Sequence, residues 1–181
     1  MQRKIEKLRI YNQDSREHYL AVVFDYSKFI AKVSAFYGMP DKDWTSIAEW
    51  VVRYEAPNEY DSGNVQIGDG RIEINRESLR GLGIGSLLMI PLIRWIKSRP
   101  SVPVDNILLK GQDAATLAER NRRNRFYERL GFTFEYHDGG TWGESHAMQS
   151  SDLIEPKFNL STYALAEHWS LESVEGHGEV F

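Results

Sequence analysis

Apolar and aromatic side chains fall at Tyr19, Val22, Val23, Tyr26, Phe29, Ile30, Val33, Phe36 and Tyr37. Steps of three and four predict one amphipathic helix, with Asp25, Lys28 and Lys32 on its wet face. Asp14-Ser15-Arg16-Glu17 ahead of it reads as a capping box, and Gly38-Met39-Pro40 as a stop. Leu20 to Phe24 also suits a strand, but the longer period outweighs it. A second helix is predicted from about Asp41 to Tyr54, with Trp44, Ile47, Ala48 and Val51 inward.

The polar stretch from Glu55 to Gly63, with Pro57, reads as a loop. Val65 and Ile67, then Gly68-Asp69-Gly70, then Ile72 and Ile74 give the alternation of a hairpin around a short turn. Leu87 to Lys97 is an apolar helix with Pro91 in its first turns. Asn106 to Leu109 is a short buried strand, and Arg120 to Leu130 a helix that Gly131 ends. Phe132–Tyr136 and Trp142–Met148 form a last hairpin around Asp138-Gly139-Gly140. Beyond Pro156 one amphipathic patch, Tyr163 to Trp169, precedes an end expected to be mobile.

Arg80-Gly81-Leu82-Gly83-Ile84-Gly85-Ser86 lies between an alternating strand and a helix. Its glycines allow close backbone approach, and the helix start adds a positive dipole end, so the turn suits a phosphate. Taken alone it also suits a purely structural turn. A P-loop would need Gly-Lys-Ser/Thr, and no lysine is present. A dinucleotide fingerprint would need glycine where Ser86 stands, and an acidic residue closing the next strand, whereas Asp105 precedes it.

Arg80-x-x-Gly83-x-Gly85 matches the Arg/Gln-x-x-Gly-x-Gly/Ala loop of the GNAT superfamily of acetyltransferases. Downstream, Asn124-Arg125-Phe126-Tyr127-Glu128-Arg129-Leu130-Gly131-Phe132 resembles the same superfamily's Phe-Tyr-x-x-x-Gly-Phe segment. The resemblance covers roughly Val65 to Leu153. It implies an α/β (α+β) fold: a mixed, mostly antiparallel sheet with splayed central parallel strands, flanked by helices. Residues 1–156 would form one domain, helical over 1–62 with reduced amino-terminal strands and cofactor-binding over 63–156, and 157–181 a tail.

The resemblance further implies that acetyl-CoA lies between the splayed strands, here Arg71–Arg76 and Asn106–Leu109. Arg80 and the N–H groups of Leu82, Gly83, Ile84, Gly85 and Ser86 would take its pyrophosphate, and Ile74 and Asn75 its pantetheine arm. The family's asparagine falls where this chain has Arg120, with Asn121 and Asn124 as substitutes. An alkyl ammonium has a pKa near ~10.4 and must lose a proton before it attacks a thioester. Glu73 matches the base used in part of the superfamily, though an outward glutamate on a half-buried strand is otherwise simply solvated. Glu144 and His146 are reserve bases, and His137 a weaker one. Tyr127 matches the tyrosine that protonates the leaving thiolate; its other reading is a core tyrosine, although Phe126 looks the more suited to the core. Arginines 120, 122, 123, 125 and 129 suit the cofactor's 3′-phosphate or a solvated face.

The chain has 181 residues, 41% apolar and 27% charged, the balance of a globular protein. It has no cysteine, which excludes disulfides, thiolate metal sites and thiol nucleophiles. No metal site is expected. No apolar run reaches a membrane span and the first residues lack an apolar h-region, so a cytoplasmic protein is expected. A net charge of −4 disfavours broad nucleic-acid binding and suits cationic substrates. The expected function is an N-acetyltransferase acting on a primary amine of a small molecule or a protein, with aminoacyl-tRNA as the one nucleic-acid acceptor in range. A homodimer is compatible with this. The alternative is an acyl-CoA-binding sensor or partner protein that does not turn over. Phe36, Tyr37, Trp44, Trp50, Tyr54 and Trp142 could line an acceptor pocket, with core packing the simpler reading for most.

Overall fold

The computed structural model describes residues 1–11, 17–38, 44–68, 79, 83–113, 115–157 and 170–172. They divide into two compact units, Met1–Val52 with Gly68–Leu92 and Lys157–Phe181, and Arg53–Ile67 with Ile93–Pro156. Over the described residues the fold is mixed α and β, with mostly antiparallel strands and two α-helices.

In the first unit the predicted long helix is a hairpin instead. Strands β1 (Gln2–Tyr11), β2 (Glu17–Tyr26) and β3 (Ile30–Gly38) pair antiparallel in that order. Leu20, Ala21, Val22 and Val23 are buried in succession, so both faces of β2 are covered. A strand buried on both sides loses its polar alternation and reads as a continuous apolar run, which fits a helical period equally well. Ser27 turns the chain: its N–H donates to Ile30 O, and its hydroxyl accepts from the N–H groups of Phe29 and Ile30. Phe29, expected inward, is exposed at that turn. Asp25, expected in water, is only 6% exposed because Arg3 on β1 binds both its oxygens, at 2.6 and 3.2 Å. That bond holds the Arg3 guanidinium above its ordinary pKa.

The second predicted helix is likewise a strand, β4 (Thr45–Glu55). Ala48, Trp50, Val52 and Tyr54 are buried at a period of two, and Val51, expected inward, is only half-buried. Every described element from 1 to 62 is therefore a strand, and the amino-terminal strands are long instead of reduced. The strand order in this unit is β4-β3-β2-β1-β11, with β11 at Ser170–Glu172 antiparallel to β1. The proposed capping box at 14–16, the second strand of the Ile72 hairpin and the patch at 163–169 lie outside the described residues.

The second unit begins with the end of β4 and the expected polar loop, where Asn58 Oδ1 accepts from the N–H groups of Tyr60 and Asp61. Strand β5 (Asn64–Gly68) follows, as the alternation of Val65 and Ile67 predicts. Helix α1 (Ile84–Lys97), whose residues up to Leu92 belong to the first unit and the rest to the second, starts earlier than expected and buries Ile84, Leu88, Met89, Leu92, Ile93 and Ile96. The strand order here is β10-β6-β5-β4, where β6 is Pro103–Val104 and β10 is Met148–Gln149. β6 was not predicted. It runs parallel to β5, Val65 opposite Val104.

A separate three-stranded sheet has the order β7-β9-β8, with β7 at Leu108–Leu109, β8 at Phe134–His137 and β9 at Trp142–Ser145. The expected hairpin forms as β8 and β9, but β9 stops at Ser145 and Met148 pairs with β6 instead. β7 is less buried than expected, since Leu109 is covered but Leu108 is 62% exposed. Helix α2 (Leu117–Arg129) starts before Arg120 because Thr116 and Glu119 form a reciprocal capping box. It ends at Gly131, whose φ of 100° is costly for any other residue.

Candidate functional site

At the start of α1, Gly83 O accepts the first helical bond, from Leu87 N, at 2.9 Å. The N–H groups of Ile84, Gly85 and Ser86 therefore have no acceptor within the helix. No acidic side chain lies in this turn to occupy them. Gly83 has a φ of 75°, the left-handed backbone that glycine adopts freely. The turn is thus suited to an anion by its dipole and by these first-turn N–H groups. Arg80 and Leu82 of the same loop, and Glu73, Ile74 and Asn75 before it, lie outside the described residues, as does the expected strand Arg71–Arg76.

In the second unit the parallel pair parts at once. Asp105 N donates to Val65 O at 2.8 Å, and Asn64 Nδ2 holds Asp105 Oδ1 at 2.9 Å. Two residues on, Ile107 N donates to Ser145 Oγ and Ser145 N donates to Ile107 O. The chain has exchanged β5 for β9 within three residues of Val104. Buried Ser145 makes this exchange possible, because its hydroxyl satisfies a backbone donor that the parting would leave unpaired.

Tyr127, on α2, is 9% exposed. Its ring lies edge-on to Phe126, Phe132 and Phe134, with centroids 5.1, 6.0 and 6.2 Å away. Phe126, read as the better core residue, is only half-buried: the helix turns Tyr127 toward β8 and Phe126 beside it. Asn121 is exposed. Asn124 Nδ2 donates to Gly140 O at 3.2 Å. Of the arginines, Arg122, Arg125 and Arg129 are exposed. Arg123 is committed elsewhere: its guanidinium donates to Lys110 O, Gly140 O, Thr141 O and Asn124 Oδ1. Arg120 Nε is buried and finds no acceptor among the described residues. Tyr136 donates to Glu128 Oε1 at 2.8 Å, and burial together with this bond pushes its phenol above the ordinary range.

The three-stranded sheet turns Leu109, Gly143, Ser145, Phe134 and Tyr136 to one face, and Leu108, Trp142, Glu144, Glu135 and His137 to the other. On that second face Trp142 is 46% exposed yet held. His137 stacks on it at 4.0 Å between centroids, and its Nε1 donates to Asp138 Oδ2 at 2.9 Å. Beside it opens a groove of about 440 Å³ lined by Leu108, Lys110, Gln112, Thr141 and Trp142 among others. Of the aromatics that could line an acceptor pocket, Trp50 and Tyr54 are core residues and Trp142 is the exposed one. Glu144 and His146 are also exposed, and Asn106 Nδ2 donates to Glu144 Oε1 at 3.0 Å. The groove had no signal in sequence spacing, because it arises where β7 and the Asp138–Thr141 turn come together. Among the described residues no helix is long and apolar enough to cross a membrane. No protein-family model, curated protein or solved structure matches the chain.

Proposed function

We propose that the chain is an acyl-CoA N-acyltransferase that moves an acetyl group from acetyl-CoA to a primary amine in a ternary complex. The observation that carries this reading is the parting of the parallel strands β5 and β6 after Val104. An extended pantetheine arm fits such a gap as an added strand. In this reading Ile74 and Asn75 would pair with the arm through their backbone. The N–H groups of Gly83, Ile84, Gly85 and Ser86, with Leu82 and Arg80, suit the pyrophosphate. The unmet donor at Arg120 Nε suits an anion as well, since a buried donor without a partner costs about 1–3 kcal/mol.

In this reading Glu73 takes the first proton from the ammonium. The freed nitrogen bonds to the thioester carbonyl carbon. Tyr127 gives its phenol proton to the sulfur as the C–S bond breaks, and regains one from the nitrogen. The aromatic packing around Tyr127 favours a second reading, an acyl-CoA-binding protein without turnover, in which that ring is a core residue.

Thermal unfolding with CoA, acetyl-CoA, NAD and ATP tests the cofactor: ligand at a hundred times its dissociation constant adds about 2.7 kcal/mol. Stabilisation by CoA or acetyl-CoA alone is expected, and none with either refutes both readings. Amine acetylation by the Tyr127→Phe variant separates them: slowed turnover with CoA binding kept supports the enzyme. Absence of turnover in the parent over a broad amine panel leaves the binder.

A further inference from the structure

One register runs from β6 through β7. Pro103 and Val104 lie opposite Gln149 and Met148, and Leu108 and Leu109 lie opposite Glu144 and Gly143. Two buried serines stand in that same register, Ser150 opposite Val102 and Ser145 opposite Ile107. Each makes the same reciprocal clip. Ser150 N donates to Val102 O at 2.9 Å, and Val102 N donates to Ser150 Oγ at 3.1 Å. Ser145 N donates to Ile107 O at 3.0 Å, and Ile107 N donates to Ser145 Oγ at 2.9 Å. At both ends of residues 102–107 a hydroxyl thus stands in for a main-chain carbonyl.

The two clips differ in what they do to β5. Bonding groups alternate between the two edges of a strand. Val102 turns its N–H toward Ser150, so Asp105 and Ile107 are due to turn theirs toward β5. Asp105 does so, donating to Val65 O at 2.8 Å. In a regular parallel ladder the next rung lies two residues on along both strands, from Ile107 N to Ile67 O. Ser145 takes that donor instead. Neighbouring side chains tie adjacent residues to opposite banks. Asn64 Nδ2 donates to Asp105 Oδ1 at 2.9 Å on the β5 side, and Asn106 Nδ2 donates to Glu144 Oε1 at 3.0 Å on the β9 side. The Ser150 clip lies before the parting and intercepts no such rung.

Resting on the acyl-transfer reading, we propose that Ser145 is a positioning residue for acyl-CoA. By capturing the Ile107 N–H it stops the chain after β6 from zipping onto β5, and so keeps the gap open for the pantetheine arm. It acts through Ile107, not on the cofactor itself. Without the hydroxyl, Ile107 N–H loses its acceptor, and a main-chain donor away from water seeks another. The acceptor that continues the ladder is Ile67 O, and that bond closes the gap.

Ser145→Ala and Ser150→Ala each remove one buried hydroxyl that accepts one main-chain bond, so they should lower the unfolding midpoint alike. Calorimetric titration of the full chain with CoA should separate them. Binding should weaken about tenfold in Ser145→Ala and stay within about twofold of the parent in Ser150→Ala. Ser145→Thr keeps the hydroxyl and should bind as the parent does. In the acetylation assay, KM for acetyl-CoA should rise in Ser145→Ala with kcat kept. With no ligand present, the NMR coupling across a hydrogen bond from Ile107 N to the Ile67 carbonyl carbon should appear in Ser145→Ala and be absent from the parent. CoA binding by Ser145→Ala equal to the parent's overturns the proposal and leaves acyl transfer standing. Equal weakening in both alanine variants, or no such coupling in Ser145→Ala, also overturns it. No CoA binding by the parent sinks acyl transfer and the arm as occupant, and the coupling alone then decides whether Ser145 holds the gap.

Discussion

Arg123 is the residue whose loss should most disturb the region around the groove. Its guanidinium reaches three backbone carbonyls, those of Lys110, Gly140 and Thr141, and also Asn124 Oδ1. It thereby ties the middle of α2 to the end of β7 and to the turn before β9. A hydrogen bond to a charged donor contributes about 1.5–3 kcal/mol net. The region is only part-buried, so water would replace some of these bonds, and the expected total is about 2–3 kcal/mol for Arg123→Lys. Lysine keeps the charge but cannot reproduce a planar fork, which isolates geometry from electrostatics. At about 2–4 °C per kcal/mol for a chain of this size, the midpoint should fall by roughly 4–12 °C. Amide exchange should show where: Thr141, Trp142 and Gly143 should exchange faster while β1–β3 keep their protection. A lysine variant within about 0.5 kcal/mol of the parent, with unchanged exchange at those amides, would refute the account of Arg123 as the clamp.

Two adjacent valines discriminate strand from helix in β4. Val52 is fully buried and Val51 half-buried, so Val52→Ala should cost about 2 kcal/mol and Val51→Ala less than about 1, measured by urea unfolding. The reverse order would restore a helix with Val51 inward. Tyr136 gives a pH signature. Its folded pKa lies above the unfolded value near ~10, so its contribution is complete below that pH and is lost as pH rises beyond it. Stability should therefore fall in alkali, and Tyr136→Phe should make that fall shallower; an identical slope would count against the Tyr136–Glu128 bond.

From β5 onward most elements were legible in the sequence. Val65 and Ile67 alternate as a half-buried strand does, Gly131 stops α2, and Asp138-Gly139-Gly140 turns the last hairpin. These signals are local: a backbone that needs positive φ, or one face in water, marks its own sequence. The loop motif at Arg80–Ser86 and the helix motif at Tyr127 are local signals too, and the proposal of acyl-CoA as cofactor rests on them. The amino-terminal half was misread for a different reason. β2 is covered on both faces, so Leu20 to Val23 carry no alternation, and Asp25 is buried only because Arg3, distant in sequence, arrives on β1.

The groove, too, is a product of assembly. Trp142 is exposed because His137 and Asp138 hold it there, and Leu108 is exposed because β7 lies at the edge of its sheet. The amino-acid sequence by itself determined the Asp138–Gly140 turn, the stop of α2 at Gly131 and the anion-suited start of α1, since each depends on a few neighbouring residues. Only the tertiary structure decided which apolar runs became strands, which carboxylate was buried and where the groove opened. Those outcomes depend on what packs opposite, and pairing partners that far apart leave no period in the chain.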